Sequence, residues 1–474
     1  MLFIAAQFWW FFLVVFTAYW ITPWPRARVW LLLIASGYFY AVWNPWLAGL
    51  VFASATLDYF LAQAIEASAS PRRKRWLLYV SLSANLGILG YLKYANFFLR
   101  SVESAADTLG CTAALPVLKV VLPIGISFYT FEAISYVVDV YSGRTRAEGN
   151  LAHFLLFILF FPHLVAGPIV RAKDFLPQVP RTKRWNWAKA DVGLRLIILG
   201  LVKKLAVADR LALYADPVYA DPASFSTLAL WLAAIACAIQ IYCDFSGYSD
   251  MAMGLAHLLG FHLARNFDRP FMAPNLAEFW KRWHITLSSW LRDYLFLPLG
   301  GSRYGRWKTC RNLLLVMVAA GLWHGAAWNY VLFFTLQGLL LIGHRVFREW
   351  AERRPNLDAA LQSGPGTAAR VAATFLSFVL TLVIFRTTSL ALAGVMLSRM
   401  LWPAAGAALT LAPWGLYVTL LAVAVGHALG APGRAVHVWE WLPRPVRGLA
   451  FGTATALVLV LAPPVDRVFV YFQF

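Results

Sequence analysis

Long apolar stretches recur along the whole chain, and they constrain its fold more than any other feature of the sequence. Inside a lipid bilayer every backbone N–H and C=O group needs a partner within the protein, and a helix supplies those partners within one segment. We therefore predict an all-α, polytopic membrane protein with roughly 11–13 membrane segments, including re-entrant and interfacial helices. The apolar stretches are residues 2–21, 29–42, 46–65, 76–92, 117–140, 151–165, 192–206, 226–243, 312–343, 371–385, 413–429 and 448–462.

The composition excludes an ordinary soluble domain. Of the 474 residues, 61% are hydrophobic and 13% are charged, and the mean hydropathy is +0.64. A surface of this kind requires a lipid bilayer as its partner. The net charge of +19 lies in short loops between apolar stretches, so we expect no nucleic-acid partner. No polar linker separates the stretches, which predicts a single integral-membrane domain over residues 1–474.

The charges of the loops predict an orientation. Loops rich in Lys and Arg stay in the cytoplasm, and such loops follow the first, the third and the ninth apolar stretch. We therefore expect a multi-pass protein of the bacterial inner (cytoplasmic) membrane with its N-terminus outside. Residues 2–21 have neither a basic region before them nor a cleavage site after them, so we expect a retained span. The C-terminal tail, residues 463–474, is then extracytoplasmic.

Two stretches disturb the regular alternation of spans. Basic clusters on both sides of residues 151–165 favour the cytoplasm, so we expect a re-entrant segment near residues 160–168, shielded from lipid by protein. Arg195, Lys203 and Lys204 interrupt the stretch 192–206. We expect that segment to lie along the membrane interface with its basic side chains extending to water.

His324 lies inside the apolar run 312–343, where a polar ring is costly and marks function by default. As one helix the run would reach about 48 Å, against a hydrocarbon core of about 30 Å. We therefore expect a break near Gly321 and Gly325, glycines that also let a backbone or a ligand approach the ring. The alternative is a structural role, in which the imidazole braces two helices by hydrogen bonding.

Residues 266–312 are amphipathic, basic and aromatic, which predicts helices on the cytoplasmic membrane surface. Trp and Arg residues in such a segment can serve simply as an anchor at headgroup depth. The functional alternative is a site for an anionic, phosphate-bearing donor, with Lys281, Arg282 and Arg292 as the candidate residues. His284 lies in the same segment and is either structural or a second group of the chemistry.

A polar cluster follows the stretch 226–243 and contains Asp244, Tyr248 and Asp250. Buried carboxylates need partners, so we expect these to pair with arginines of the amphipathic segment or to orient an imidazole. The four cysteines lack the paired spacing of a metal site. We therefore expect no metal ligands and no bound cofactor.

Six motifs, taken in order, resemble the membrane-bound O-acyltransferase family. The resemblance is to the branch of the alginate O-acetylation protein and its relatives acting on peptidoglycan and other polysaccharides. It covers essentially the whole chain, and residues 266–301 are its most specific part. The motifs are residues 38–45, 123–131, 161–169, 244–250, 280–301 and Trp323-His324-Gly325.

The resemblance implies a funnel-shaped helical fold with a central tunnel between the cytoplasm and the outside. It implies that His324 is the family's membrane histidine and His284 its second characteristic histidine, with Trp323 beside the tunnel. The implied donor is a thioester, acetyl-CoA or an acyl carrier, reached from the cytoplasm. The implied partner is a periplasmic SGNH-hydrolase-like acetyltransferase, which acetylates the polymer.

The chemistry of the residues agrees with this resemblance. A hydroxyl attacks a thioester poorly unless a base removes its proton, and a neutral imidazole is suited to that task near pH 7. Burial favours the neutral form. We therefore assign His324 as general base and His284 as a positioning or second polar group. The competing function is a membrane transporter or channel in which His324 relays protons.

The C-terminal tail carries one phenolic hydroxyl, that of Tyr471. It resembles the tyrosine-bearing tail of a small partner protein in the related D-alanyl transfer systems. We hypothesise that Tyr471 enters the tunnel, takes the acyl group as an ester and hands it to the next enzyme. The alternative is an aromatic tail that packs at the membrane interface.

Overall fold

The secondary structure is helical, which confirms the predicted all-α class. Within the described residues there is no strand, and one isolated β-bridge joins Phe225 to Ala407. The funnel shape, the tunnel and the number of membrane segments stay predictions. The computed structural model describes residues 3–111, 115–118, 125–164, 167–409, 411, 413–430, 439, 441–462 and 469.

The chain divides into two compact units, one of residues 1–197 with 249–264 and one of residues 198–248 with 265–474. The single domain over residues 1–474 stays a prediction. The helices that begin in the first unit are α1 (Ala6–Ile21), α2 (Pro25–Ala41), α3 (Pro45–Ala67), α4 (Pro71–Leu89), α5 (Ala95–Thr108), α6 (Ile126–Tyr141), α7 (Leu151–Leu159), α8 (Phe161–Leu164), α9 (Ala172–Phe175) and α10 (Trp187–Leu201).

Several helices of the first unit begin at a proline. Pro25, Pro45 and Pro71 occupy the first helical turn, where the missing N–H costs nothing and the fixed φ suits the helix. Asn44 adds a side-chain cap before α3, since its Oδ1 accepts from the N–H groups of Trp46 and Leu47. The predicted apolar stretches 29–42, 46–65 and 76–92 overlap these three helices, and the prolines mark helix starts that lie one to five residues earlier.

The expected irregular segment near residues 160–168 is present in the first unit. Helix α7 ends at Leu159, and α8 follows as a single turn. The backbone at this break is shielded by protein, because His163 is buried between the Glu132 carboxylate and the Phe157 carbonyl. Residues 165 and 166 lie outside the described residues.

The second unit carries both histidines of interest. A π-helix, Val202–Ala208, opens it after the end of α10. Its helices are α11 (Asp209–Ala220), α12 (Thr227–Leu258, of which the last turns belong to the first unit), α13 (Leu276–Arg282), α14 (Ile285–Leu291), α15 (Gly305–His324), α16 (Trp328–Ala351), α17 (Pro355–Gln362), α18 (Gly364–Arg386), α19 (Leu390–Leu401), α20 (Pro413–Leu429) and α21 (Arg444–Leu461).

The apolar run 312–343 is broken, as its length predicts. Helix α15 ends at His324, and α16 begins at Trp328, so the two form a helical hairpin with the histidine at its turn. The arms approach closely where Gly321 faces the backbone of Tyr330. This hairpin sets the position of the first candidate residue.

Four of the described helices are long and apolar enough to cross a membrane: α3, α12, α16 and α18. Five shorter apolar segments accompany them among the described residues. Neither α13 nor α14 belongs to either group, which agrees with the expected amphipathic character of residues 266–312.

Candidate active site

His324 is the last residue of α15 and is buried, with 6% of its surface exposed. Its Nδ1 lies 2.7 Å from the carbonyl oxygen of Ala320, one turn earlier in the same helix. A carbonyl oxygen only accepts, so Nδ1 carries the proton and donates it. In the neutral ring, Nε2 is then the basic nitrogen.

Aromatic rings surround the His324 imidazole. The ring centroid of Phe334 lies 4.4 Å away, that of Trp323 4.8 Å away and that of Phe385 6.1 Å away. The imidazole therefore lies in apolar, aromatic surroundings, and its ring packs against residues of the hairpin itself and of α18.

The two glycines near His324 serve the packing of the hairpin. A Cβ on Gly321 would lie 2.8 Å from the carbonyl oxygen of Tyr330 and 2.9 Å from the Cα of Val331. A side chain on Gly325 would overlap the Tyr330 ring. Of the two possibilities raised by the sequence, approach of protein or of a ligand, the structure shows approach of protein.

His284 lies at a sharp kink between α13 and α14. Its backbone is left-handed, with φ 46° and ψ 55°, which is uncommon for a residue other than glycine. Holding a side-chain-bearing residue in that region costs about 1–3 kcal/mol and persists only where the surroundings impose it. The strain at His284 therefore needs a structural cause.

Asn266 supplies that cause. Its backbone oxygen accepts from the N–H of Ile285 at 2.9 Å. Its side-chain Oδ1 lies 3.1 Å from Nδ1 of His284, 3.3 Å from the N–H of Thr286 and 2.9 Å from the Thr286 hydroxyl. A backbone N–H can only donate, so the amide oxygen faces this cluster, and Nδ1 of His284 is the protonated nitrogen. As in His324, Nε2 is the basic nitrogen.

Trp323 contacts both imidazoles. Its ring centroid lies 5.9 Å from that of His284 and 4.8 Å from that of His324. His284 is 1% exposed and also packs edge-on against Phe245 at 4.7 Å. Burial, together with the nearby His324, lowers the pKa of His284 well below its usual range. The structure therefore brings the two predicted histidines and Trp323 together in one buried site.

Asp244 is paired with a lysine, Lys204. Nζ of Lys204 lies 2.8 Å from a carboxylate oxygen of Asp244 and 2.8 Å from one of Asp209. Burial lowers the pKa of Lys204, but the two carboxylates outweigh it and raise that pKa above its usual value. The expectation that Lys204 extends to water is wrong, because Lys204 is 1% exposed and fully enclosed with its partners.

Tyr248 and Asp250, the other polar residues of this cluster, have different surroundings. Tyr248 is buried, and its ring centroid lies 4.7 Å from that of Phe469, which also lies 5.8 Å from Phe245. Asp250 belongs to the first compact unit and is half-buried. Tyr471 lies outside the described residues, and of the tail 463–474 only Phe469 is described.

The three candidate donor-binding cations differ in their surroundings. Lys281 is exposed and pairs with Glu278 at 2.8 Å. Arg282 is half-buried and donates to the carbonyl oxygen of Met272. Arg292 is exposed and pairs with its neighbouring aspartate at 2.9 Å. Within the described part of the chain, no group of three or more metal-ligating side chains stands together.

Asn266 is the site residue that could not be identified from the sequence, and Lys204 is a residue whose surroundings were wrongly predicted. Asn266 appeared there only as the start of the amphipathic segment. An asparagine 18 residues before a histidine carries no recognisable spacing, and the contact depends on the tertiary fold. For Lys204, the signal was present: a lysine inside an apolar stretch, with Asp209 five residues later and Asp244 in the next span.

The site residues lie within a region that matches a known protein family. The model of the membrane-bound O-acyltransferase family matches residues 146–382, a range that contains Asn266, His284 and His324.

Curated relatives show the same similarity over most of the chain. A probable alginate O-acetylase of Pseudomonas putida is 40% identical over 405 residues, which cover 84% of this chain and 80% of that protein. The peptidoglycan O-acetyltransferase of Helicobacter pylori is 36% identical over 346 residues, 68% of this chain and 64% of that protein. The teichoic acid D-alanyltransferase of Bacillus subtilis is 26% identical over 248 residues, 48% of this chain and 60% of that protein.

Proposed function

This chain belongs to the membrane-bound O-acyltransferase family and is an acyltransferase, and we propose that it moves an acetyl or similar short acyl group across the bacterial inner membrane. The donor is a thioester on the cytoplasmic side. The acyl group leaves on the periplasmic side, for O-acetylation of an extracytoplasmic polysaccharide such as alginate. The names of the relatives support this class of acceptor.

One observation carries the proposal: two buried imidazoles contact the same tryptophan, and both keep Nδ1 bonded to an oxygen acceptor. Each ring therefore presents Nε2 as its basic nitrogen. A base of this kind removes the proton that makes a hydroxyl a poor nucleophile. Of the two, His324 is the general base, because it lies at the turn between two membrane helices.

The chemical step is an acyl transfer from sulfur to oxygen. The acceptor O–H gives its proton to Nε2 of His324 while its oxygen attacks the thioester carbonyl carbon. The tetrahedral intermediate collapses with cleavage of the C–S bond, and the leaving thiolate takes the proton back from the imidazolium. The products are an ester and a free thiol, so no bound cofactor or metal is needed.

His284 acts as the second polar group. Because its pKa lies well below the usual range, it is neutral at pH 7 and accepts a hydrogen bond at Nε2. A neutral acceptor can orient the attacking hydroxyl or a water molecule toward the base.

The basic residues within 266–312 indicate where the acyl donor binds. Acetyl-CoA and a phosphopantetheine-bearing acyl carrier both present phosphate groups, which Arg and Lys bind. Arg282, half-buried and adjacent to the kink, is the donor-binding candidate closest in sequence to His284. Lys281 and Arg292 are exposed and serve the outer part of the donor.

The periplasmic side requires a second enzyme, since the acceptor polymer lies outside the membrane. We propose an SGNH-hydrolase-like acetyltransferase as this partner and Tyr471 as the hydroxyl that carries the acyl group to it. Mass spectrometry of the C-terminal peptide, with acetyl-CoA supplied, tests the carrier step. A Tyr471→Phe variant with unchanged polymer acetylation and no acetyl adduct in the wild type would refute it.

The general base is tested with His324→Gln, which keeps a polar side chain of similar size. We expect release of CoA from acetyl-CoA in proteoliposomes to fall by about 10²- to 10⁴-fold, the usual contribution of a general base. Size-exclusion chromatography of the purified variant controls for folding. A folded variant with wild-type activity would remove His324 from the mechanism. The relatives are named as transferases, which favours transfer over a transporter or channel with a histidine proton relay.

A further inference from the structure

Asn266 is completely buried, and its side chain reaches across 18 residues of sequence to the kink that carries His284. Four hydrogen bonds link this one residue to the kink. Its backbone oxygen accepts one from the N–H of Ile285, and its amide oxygen accepts three from His284 and Thr286. We infer that Asn266 is the positioning residue that holds His284 in its reactive tautomer and orientation. The inference rests on the proposed function.

The choice of an amide oxygen at this position has a chemical consequence. All three groups directed at Oδ1 are donors, namely the imidazole Nδ1–H, the Thr286 N–H and the Thr286 hydroxyl. The backbone N–H of Thr286 can only donate, so the amide places its oxygen, and not its NH2 group, toward His284. The Nδ1–H of His284 therefore donates to this oxygen, so the proton stays on Nδ1 and the lone pair is on Nε2.

Asn266 also explains why the strained backbone at His284 is stable. The left-handed conformation turns the chain between α13 and α14, so that Ile285 meets the backbone of Asn266 and the imidazole meets its side chain. A second backbone bond, from the N–H of Asp268 to the carbonyl of Arg282 at 2.9 Å, ties the two segments just before the kink. The segment before α13 therefore imposes the kink from outside.

The groups that face the His284 ring come from three further places. Phe245 of α12 packs edge-on against the imidazole. The ring centroid of Phe267, which stacks on the imidazole, lies 6.5 Å from that of His284, and the ring centroid of Trp323 of α15 lies 5.9 Å from it. The titratable group that acts on it from a neighbouring element is His324. A neutral amide at position 266 thus adds no charge to a ring that the surroundings keep neutral.

This placement makes Asn266→Asp the most informative variant. A carboxylate keeps the acceptor for all three donors, but its charge stabilises the protonated imidazole and raises the pKa of His284. His284 must be neutral to accept a hydrogen bond at Nε2. We therefore expect activity on the acidic side to be lost at a higher pH than in wild type, because protonation of His284 becomes limiting before protonation of the general base. The rate on the alkaline side should stay within about threefold of wild type.

Asn266→Ala removes the amide oxygen that accepts from His284 and Thr286. The tautomer of His284 and the kink then lose the hydrogen bonds that stabilise them. We expect the rate of CoA release from acetyl-CoA to fall by about tenfold or more at every pH, the usual loss for a second-sphere partner. Thr286→Val removes one of the other donors and leaves the His284–Asn266 bond in place. Its pH profile should match wild type.

A matched control separates this role from the general loss of a buried asparagine. Asn312 is also fully buried in the second unit, and its amide donates to the carbonyl oxygens of Leu299 and Gly301 without touching an imidazole. We expect Asn312→Ala to lower the yield of folded protein in the same way, while its pH–rate profile keeps the wild-type shape.

The experiment measures CoA release from acetyl-CoA by the full chain in proteoliposomes between pH 5 and pH 9, with His284→Gln in parallel. Wild-type rate and profile in both Asn266 variants would overturn the inference while leaving the acyltransferase function intact. Loss of activity at all pH values in Asn266→Asp as well as in Asn266→Ala would also overturn it, since the acceptor is kept in the former. Wild-type activity in His284→Gln would instead refute the proposed role of His284.

Discussion

The helical hairpin α15–α16 and the kinked pair α13–α14 each deliver one histidine to the same site, but by different means. His324 is held by a carbonyl of its own helix, four residues earlier. His284 is held by a side chain 18 residues away and by a left-handed backbone. The hairpin depends on close packing, whereas the kink depends on hydrogen bonds from a separate segment.

Because the two histidines are held by different contacts, their positions should respond differently to substitutions elsewhere in the protein. His324 and the carbonyl that accepts its proton belong to the same helix, one turn apart, so the tautomer of His324 follows from local geometry. The tautomer of His284 exists only while the segment around Asn266 stays in place. Substitutions should therefore affect the two arms in different ways.

The largest effect is expected where the arms of the hairpin touch. Gly321→Val places a branched side chain against the backbone of Tyr330 and Val331, which cannot move without shifting α16. Overpacking of this kind costs about 3 kcal/mol of folding free energy. We expect a large drop in the thermal unfolding midpoint in detergent, together with loss of CoA release.

The control for this substitution lies in the same hairpin. A Cβ at Gly343 of α16 would meet no heavy atom within 4 Å, so Gly343→Val should leave folding nearly unchanged. Equal destabilisation by both substitutions would show that close approach of the arms is not the reason for glycine at position 321.

A smaller effect on stability should have opposite signs at the two histidines when glycine and alanine variants are compared. At position 284 glycine relieves the left-handed strain, so His284→Gly should be more stable than His284→Ala by about 1 kcal/mol. At position 324 the backbone is helical, and His324→Gly should be less stable than His324→Ala by up to about 1 kcal/mol. Thermal unfolding of the four variants measures both differences, and the same sign at both positions would contradict this contrast between the two backbones.

The hairpin could be predicted from the sequence, and the kink could not. The run 312–343 is too long for one span, which requires a break, and Gly321 and Gly325 indicate where it lies. The helix starts at Pro25 and Pro45 were visible for a similar local reason. In each case the information lies within a few residues of the feature it determines.

The kink depends on contacts that sequence spacing does not reveal. Nothing in the local sequence marks His284 as left-handed, because glycine is the residue that ordinarily signals this conformation. Lys204 is a different case, since Asp209 and Asp244 were visible as possible partners, and the fold shows that it pairs with both instead of extending to water. Family resemblance could identify the histidines, but not the residues that hold them.

The proposed chemistry requires that both imidazoles keep their proton on Nδ1 and offer Nε2 to the reaction. Nitrogen NMR of the ¹⁵N-histidine-labelled full chain in nanodiscs tests this directly, with His324→Gln and His284→Gln to assign the signals. We expect each ring to have a protonated Nδ1 and an unprotonated Nε2 at pH 7, and His284 to become charged only at a lower pH than a free imidazole because its pKa is lowered. A proton on Nε2 of either ring, or a charged ring at pH 7, would contradict this requirement.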